Sequence, residues 1–241
     1  MAFPNASKGL KRIFTAEVIG LIAMALLLLA TFLMFPKADS EDVDQSSTGM
    51  LIFFGSSMLA LFVSFVVNIT GLSAARRDDR FFRIGFRILI IDIILNGIVS
   101  VLLPIVSFGI FFVIDDIDTM MTVGEISAVI TSILSVLTKL ADGAIKVFIV
   151  LGIVSISKQL GNSERVKTGR KLVWVLAVTV VVETALTAVV SAMGGKAASV
   201  EALLMSIPSI ILVLFQYVIY LSYLNGANKM LNANAQSDTG D

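Results

Sequence analysis

The chain contains no cysteine and no histidine. Disulfides, thiol nucleophiles, metal sites built from cysteine and histidine, and histidine proton relays are therefore excluded. Charged residues are also scarce, at 15% of the chain against about 25% in a typical soluble domain. The sequence has no G-x-S-x-G nucleophile motif and no Walker A lysine loop. We therefore expect a protein that is not an enzyme and that holds no cofactor.

Apolar residues dominate what remains. Of the 241 residues, 57% are hydrophobic, and the mean hydropathy is +0.95. A transmembrane helix needs about 20 mostly apolar residues in succession. Six windows meet that need, at roughly 13–35, 50–73, 88–113, 126–156, 172–193 and 200–224. The sequence thus predicts an all-α fold, a polytopic membrane helical bundle of six transmembrane helices.

Basic residues are distributed unevenly among the connections. One set lies before the first predicted span, after the second, after the fourth and after the sixth: Lys8, Lys11, Arg12, Arg76, Arg77, Arg80, Arg83, Arg87, Lys158, Arg165, Lys167, Arg170, Lys171 and Lys229. The other connections hold only Lys37 and Lys196. Because basic loops stay in the cytoplasm, this split predicts a multi-pass protein of the cell membrane with both termini inside. We expect the basic loops to contact anionic lipid of the inner leaflet, and not nucleic acid.

The order of spans and loops predicts three consecutive helical hairpins, all inserted in the same sense. Residues 1–224 form the six-helix transmembrane domain in this interpretation. Residues 225–241 are rich in Asn, Ala, Gly, Ser and Asp, which favours a flexible cytoplasmic tail. The centre of the first span, 21–29, is apolar on every side, so we expect that helix to lie at the periphery.

Four charged residues interrupt the fourth and fifth spans: Lys139, Asp142, Lys146 and Glu183. A charge at the centre of a membrane helix costs about 2.5–3.5 kcal/mol or more, so such residues normally face a protein interior or a wet cavity. Counting residues along the spans places Lys146 and Glu183 roughly 16 Å deep, which predicts an ion pair near the midplane. Asp142 is an alternative partner, since it precedes Lys146 by four residues on the same helix.

A second polar set lies five or six residues inside the cytoplasmic ends of four spans: Glu17, Asn68, Asp92 and Gln216. The count predicts an inner polar layer at roughly 8–9 Å depth. Asp92 and Asp142 are then more than about 10 Å apart in depth, which argues against a pair of aspartates. Pro104 and Pro208 are expected to kink the third and sixth spans, because proline removes a helix hydrogen bond.

Two functions fit these patterns. In the first, the midplane charges bind an ion or small polar solute, and the protein is a transporter. In the second, the charges form a buried structural network, and the protein is an accessory, assembly or scaffold subunit. For either function, the candidate protein partners are a second copy of the chain, forming a homo-oligomer, or another membrane protein.

Overall fold

The structure is a computed structural model, and it describes residues 3–34, 43–113, 117–192 and 200–237. Every regular element in these ranges is an α-helix. The helices are α1 (Pro4–Met34), α2 (Val43–Ala75), α3 (Arg80–Val113), α4 (Ile117–Gln159), α5 (Ser163–Ala192) and α6 (Val200–Ser237). The predicted all-α class is confirmed.

Five of these helices are long and apolar enough to cross a membrane in their described parts. The five stretches are Pro4–Ala30, Leu51–Ala75, Arg80–Leu102, Gly124–Gln159 and Ile211–Asn234. A membrane helical protein is therefore the class that the structure supports. The predicted fifth span, 172–193, lies within α5 as far as Ala192. That α5 crosses the membrane stays a prediction.

The predicted flexible tail differs from the structure. Helix α6 continues to Ser237, and Ala227 and Leu231 on it are buried. The polar composition after Leu224 concealed an apolar face, because these two residues lie four apart and share one side of a helix. Residues 238–241 lie outside the described part of the chain.

The connection between α4 and α5 is fixed by local hydrogen bonds. Gly161 has a φ of 70°, a left-handed conformation that glycine adopts without strain. The Asn162 amide donates to the Ser157 carbonyl at 2.9 Å, and the Gly161 amide donates to the Lys158 carbonyl at 3.2 Å, which is the Schellman pattern of a helix end. The Asn162 side chain then accepts from the Arg165 amide at 3.0 Å and caps α5.

The chain divides into two compact units. Unit 1 comprises residues 1–79 and 221–241, and unit 2 comprises residues 80–220. In unit 1, α1 packs antiparallel along α2. The α1 residues in this seam recur at steps of three and four and are buried: Gly9, Ile13, Ala16, Gly20, Ala23 and, one heptad later, Ala30.

Small side chains let α1 and α2 approach closely. A Cβ atom added to Gly9 would lie 2.6 Å from the Gly71 carbonyl oxygen and 2.8 Å from the Ala75 Cβ. The Ser64 hydroxyl donates to the Ala16 carbonyl at 2.7 Å. Close contact of small residues and hydroxyl hydrogen bonds are common means of joining membrane helices. The expectation that α1 lies at the periphery of the bundle stays a prediction.

Asp78 joins the ends of the two helices in unit 1. Its carboxylate accepts from the Asn5 side-chain amide at 2.8 Å and from the Ala6 backbone amide at 2.6 Å. The first amides of a helix have no partner within it, and a negative charge near them is favourable. Asp78 therefore caps α1 from the turn that follows α2.

In unit 2, α4 packs against both α3 and α5. The Phe82 ring of α3 lies against Gly152, and Val180 of α5 lies against Gly143. Buried aliphatic residues surround these contacts towards the C-terminal end of α4: Ile145, Ile149, Val150, Ile153 and Ile156. The core of unit 2 thus lies around the C-terminal end of α4, where α3 and α5 begin with basic residues.

Candidate functional site

The contacts of unit 2 set the register between α3 and α4. Phe82 lies against Gly152, and the Thr138 hydroxyl hydrogen-bonds Asn96 at 3.1 Å. Both pairs belong to one antiparallel alignment, because fourteen residues separate the members on each helix. The same alignment places Asp92 level with Asp142. The predicted separation of these two carboxyls by more than about 10 Å in depth is therefore wrong.

A chain of hydrogen bonds connects Asp92 to α4. The Asn96 amide nitrogen donates to the Asp92 carboxylate at 2.9 Å and to the Asp92 backbone carbonyl at 2.9 Å. The Asn96 carbonyl oxygen accepts from the Thr138 hydroxyl at 3.1 Å. Asn96 thereby uses its donor towards the carboxylate and its acceptor towards α4, which fixes the orientation of its side chain.

The two aspartates lie within electrostatic range of each other. Asp92 is half-buried, whereas Asp142 is exposed on the surface of unit 2. We call Asp92, Asn96, Thr138 and Asp142 the carboxylate pair site. All four side chains present oxygen atoms, which are the ligands that hard cations prefer.

Lys146 has a different neighbour from the one predicted. Its ammonium lies over the ring of Tyr217 in α6, 4.6 Å from the ring centroid. The Gly143 contact with Val180 sets the register of α4 and α5. In that register Glu183 and Lys146 lie on opposite sides of the Gly143 level, about 9 Å apart along the axis. The register places Glu183 level with Leu140, one residue from Lys139, so it does not favour the predicted Lys146–Glu183 ion pair.

The predicted inner polar layer falls in both units. Glu17 and Asn68 belong to unit 1, and Asp92 and Gln216 belong to unit 2. Glu17 and Gln216 are buried, at 6% and 4% exposure. Asn68 is half-buried, and its buried side-chain oxygen has no hydrogen-bond partner among the described residues. Asp92 alone of these four is a member of the carboxylate pair site.

Sequence patterns did not identify two residues that contact the polar side chains described above, Thr138 and Tyr217. Thr138 precedes Asp142 by four residues and thus shares its helix face, a spacing that was available as a signal. Tyr217 had no signal, because only the packing of α6 brings it to Lys146. Helices α3 and α6 are continuous at Pro104 and Pro208, whose side chains lie outside the described part, so the kinks stay predictions.

Neither a metal-binding cluster nor a similar protein indicates a function for this chain. Within the described ranges, no group of three acidic, histidine or cysteine side chains is placed to hold a metal ion. No family model, no curated protein and no solved structure matches the chain. The carboxylate pair site is therefore the feature from which a function is inferred.

Proposed function

We propose that this protein is a cell-membrane transporter of a small ion, with a proton or a monovalent cation bound at the carboxylate pair site. The observation that carries the proposal is the common level of Asp92 and Asp142 on adjoining helices, within electrostatic range. Two carboxylates in one site repel each other unless a proton or a cation lies between them. Occupancy by a cation removes that repulsion.

The depth of the site fits ion binding within a membrane. Trp174 is 74% exposed and follows basic residues of α5, as expected of a side chain at the headgroup level. Val180, level with Gly143, lies six residues beyond Trp174, about 9 Å by the helical rise. The carboxylate pair then lies inside the hydrocarbon layer, in the leaflet on the Trp174 side of a core about 30 Å thick.

The level of Trp174 also indicates that Lys146 lies closer to the membrane interface than the carboxylate pair does. Lys146 lies about 6 Å closer than Asp142 to the Trp174 level, where a lysine can extend its ammonium to the headgroups. Its position over Tyr217 suits that depth, because cation–π contacts also tolerate partial hydration. We therefore assign ion binding to the aspartates and membrane anchoring to Lys146.

The basic connections give the proposed orientation. With N- and C-termini in the cytoplasm, the basic ends of α3, α4 and α5 face inward, and the carboxylate pair site lies in the inner half of the membrane. The helices form three consecutive hairpins in this proposal. The antiparallel pairs α1–α2 and α3–α4 agree with the first two of these hairpins.

An accessory subunit is the second candidate function. The observation that favours it is the surface of α2, whose span is 6% buried and exposes large apolar residues such as Leu51, Leu59 and Phe62. Lipid or a partner membrane helix would cover such a surface. In this alternative, the carboxylate pair site fixes the pairing of α3 with α4 and binds no transported ion.

Thermal unfolding of the purified protein tests ion binding. A ligand that binds the folded state raises the melting temperature by mass action. We expect a rise with one of Na⁺, K⁺, Li⁺ or acid pH, and its loss in Asp92→Asn and Asp142→Asn. Glu125→Gln, which removes an exposed carboxylate from the same helix, is the matched control and should keep the response. A flat response across these conditions would exclude a bound ion and favour the accessory function.

A further inference from the structure

One face of α3 changes from strongly basic to wholly apolar. Arg80, Arg83 and Arg87 are exposed and recur at steps of three and four, so their side chains leave the helix on one side. The same side continues into exposed aliphatic residues: Ile91, Ile94, Leu95, Ile98, Val101, Leu102 and Ile105. The change takes place within the single turn between Arg87 and Ile91.

The basic part of this face suits phosphate. An arginine guanidinium donates two parallel hydrogen bonds to a phosphate, which a lysine ammonium cannot do. Arg83 and Arg87 lie about 6 Å apart along the axis, close enough for both to reach one phosphate group. Arg80 is positioned next to them, with its guanidinium 4.9 Å from the centroid of the Phe81 ring.

The apolar part suits an acyl chain. Ile91 to Ile105 extends for about 21 Å by the helical rise, which exceeds the roughly 15 Å of hydrocarbon in one leaflet. The face therefore matches a phospholipid from headgroup to chain end. A free phosphate would contact only the arginines.

We propose that the exposed face of α3 binds one anionic phospholipid, with its phosphate at Arg83 and Arg87 and an acyl chain along Ile91 and Ile94. Charge complementarity selects an anionic headgroup, and continuity with the apolar face selects a lipid. The site is separate from the carboxylate pair, because Asp92 and Asn96 lie outside the exposed stripe, on the sides of α3 that reach α4. It does not depend on ion transport.

The test measures binding of phosphatidylglycerol to the detergent-purified full chain by native mass spectrometry and by thermal shift. Phosphatidylcholine controls for the acyl chains, and glycerol 3-phosphate controls for the free headgroup. The variant is Arg83→Gln with Arg87→Gln. The matched control is Lys167→Gln with Lys171→Gln, which removes two exposed charges with the same four-residue spacing from α5.

We expect the affinities of the native chain and the lysine variant for phosphatidylglycerol to agree within about 3-fold. The arginine variant should bind this lipid about 25-fold more weakly than the native chain, because one basic residue near a lipid surface increases the affinity roughly 5-fold. Arg83→Lys with Arg87→Lys keeps the charge and the fold and should bind at an intermediate strength. Equal losses in the arginine and lysine variants, or equal binding of phosphatidylcholine, would overturn the proposal. A thermal shift with glycerol 3-phosphate as large as that with the lipid would also overturn it.

Discussion

At the scale of single residues, the sequence identified the charged groups but not their partners. Asp92 and Asp142 were both singled out, yet the depth count placed them in different layers. The error has a physical cause, because the last apolar residues of the predicted fourth span, such as Ile149 and Ile153, are buried against protein. Hydropathy does not distinguish residues that are apolar because they face lipid from residues that are apolar because they face another helix.

The contact of Lys146 with Tyr217 leads to a double-mutant prediction. Lys146→Met and Tyr217→Leu should show a coupling free energy of about 0.5–1 kcal/mol in thermal unfolding, because each change alone already removes the contact. Lys146→Met with Glu183→Gln should instead be additive, since about 9 Å of axial distance separates the two residues. Coupling in the second pair and none in the first would contradict the register of α4.

Asp78 offers a second prediction at this scale. Asp78→Ala leaves the Ala6 amide without its cap and should lower the free energy of unfolding of unit 1 by about 1–2 kcal/mol. Asp78→Asn keeps one acceptor oxygen and should lose less. The measurement is hydrogen exchange of the first turn of α1, where Asp78→Ala should raise the rate. An unchanged rate would mean that solvent satisfies this amide equally well.

At the scale of elements, helix positions were predictable and helix ends were not. Apolar windows located all six helices, but α4 has 43 residues, about 65 Å by the helical rise and roughly twice the hydrocarbon thickness. Polar residues at its ends continue the helix, and hydropathy gives them no weight. Likewise, the helical segment after Leu224 depends on the burial of Ala227 and Leu231, a tertiary effect that local composition does not show.

The seam between α1 and α2 gives the element-scale prediction. Gly71→Ala would place a methyl group 2.9 Å from the Gly9 carbonyl oxygen and 2.9 Å from the Ile13 side chain. Because a backbone atom cannot move aside locally, this change should cost about 1–3 kcal/mol of unfolding free energy. Gly55→Ala on the same helix meets open space and should stabilise by up to about 1 kcal/mol. Similar effects of the two changes would contradict the close approach of α1 and α2.

At the scale of the whole molecule, the charge asymmetry of the loops remains the basis for orientation. Cysteines introduced at Ser46 and Thr119 should react with an impermeant maleimide added outside intact cells, and a cysteine at Ser163 should not. Because the native chain has no cysteine, the labelling has no background from native thiols. Labelling at position 163 alone would reverse the proposed topology.

The central claim is that the carboxylate pair site carries an ion across the membrane, and flux through proteoliposomes tests it most directly. The purified chain should produce a cation- or proton-dependent flux that Asp92→Asn and Asp142→Asn abolish, while both variants keep their helical content and Glu125→Gln keeps the flux. We expect this pattern because both aspartates share one site, whereas Glu125 lies about 25 Å from Asp142 along α4. A flux that persists in both aspartate variants, or the absence of flux in the native chain across all ions screened, would contradict it.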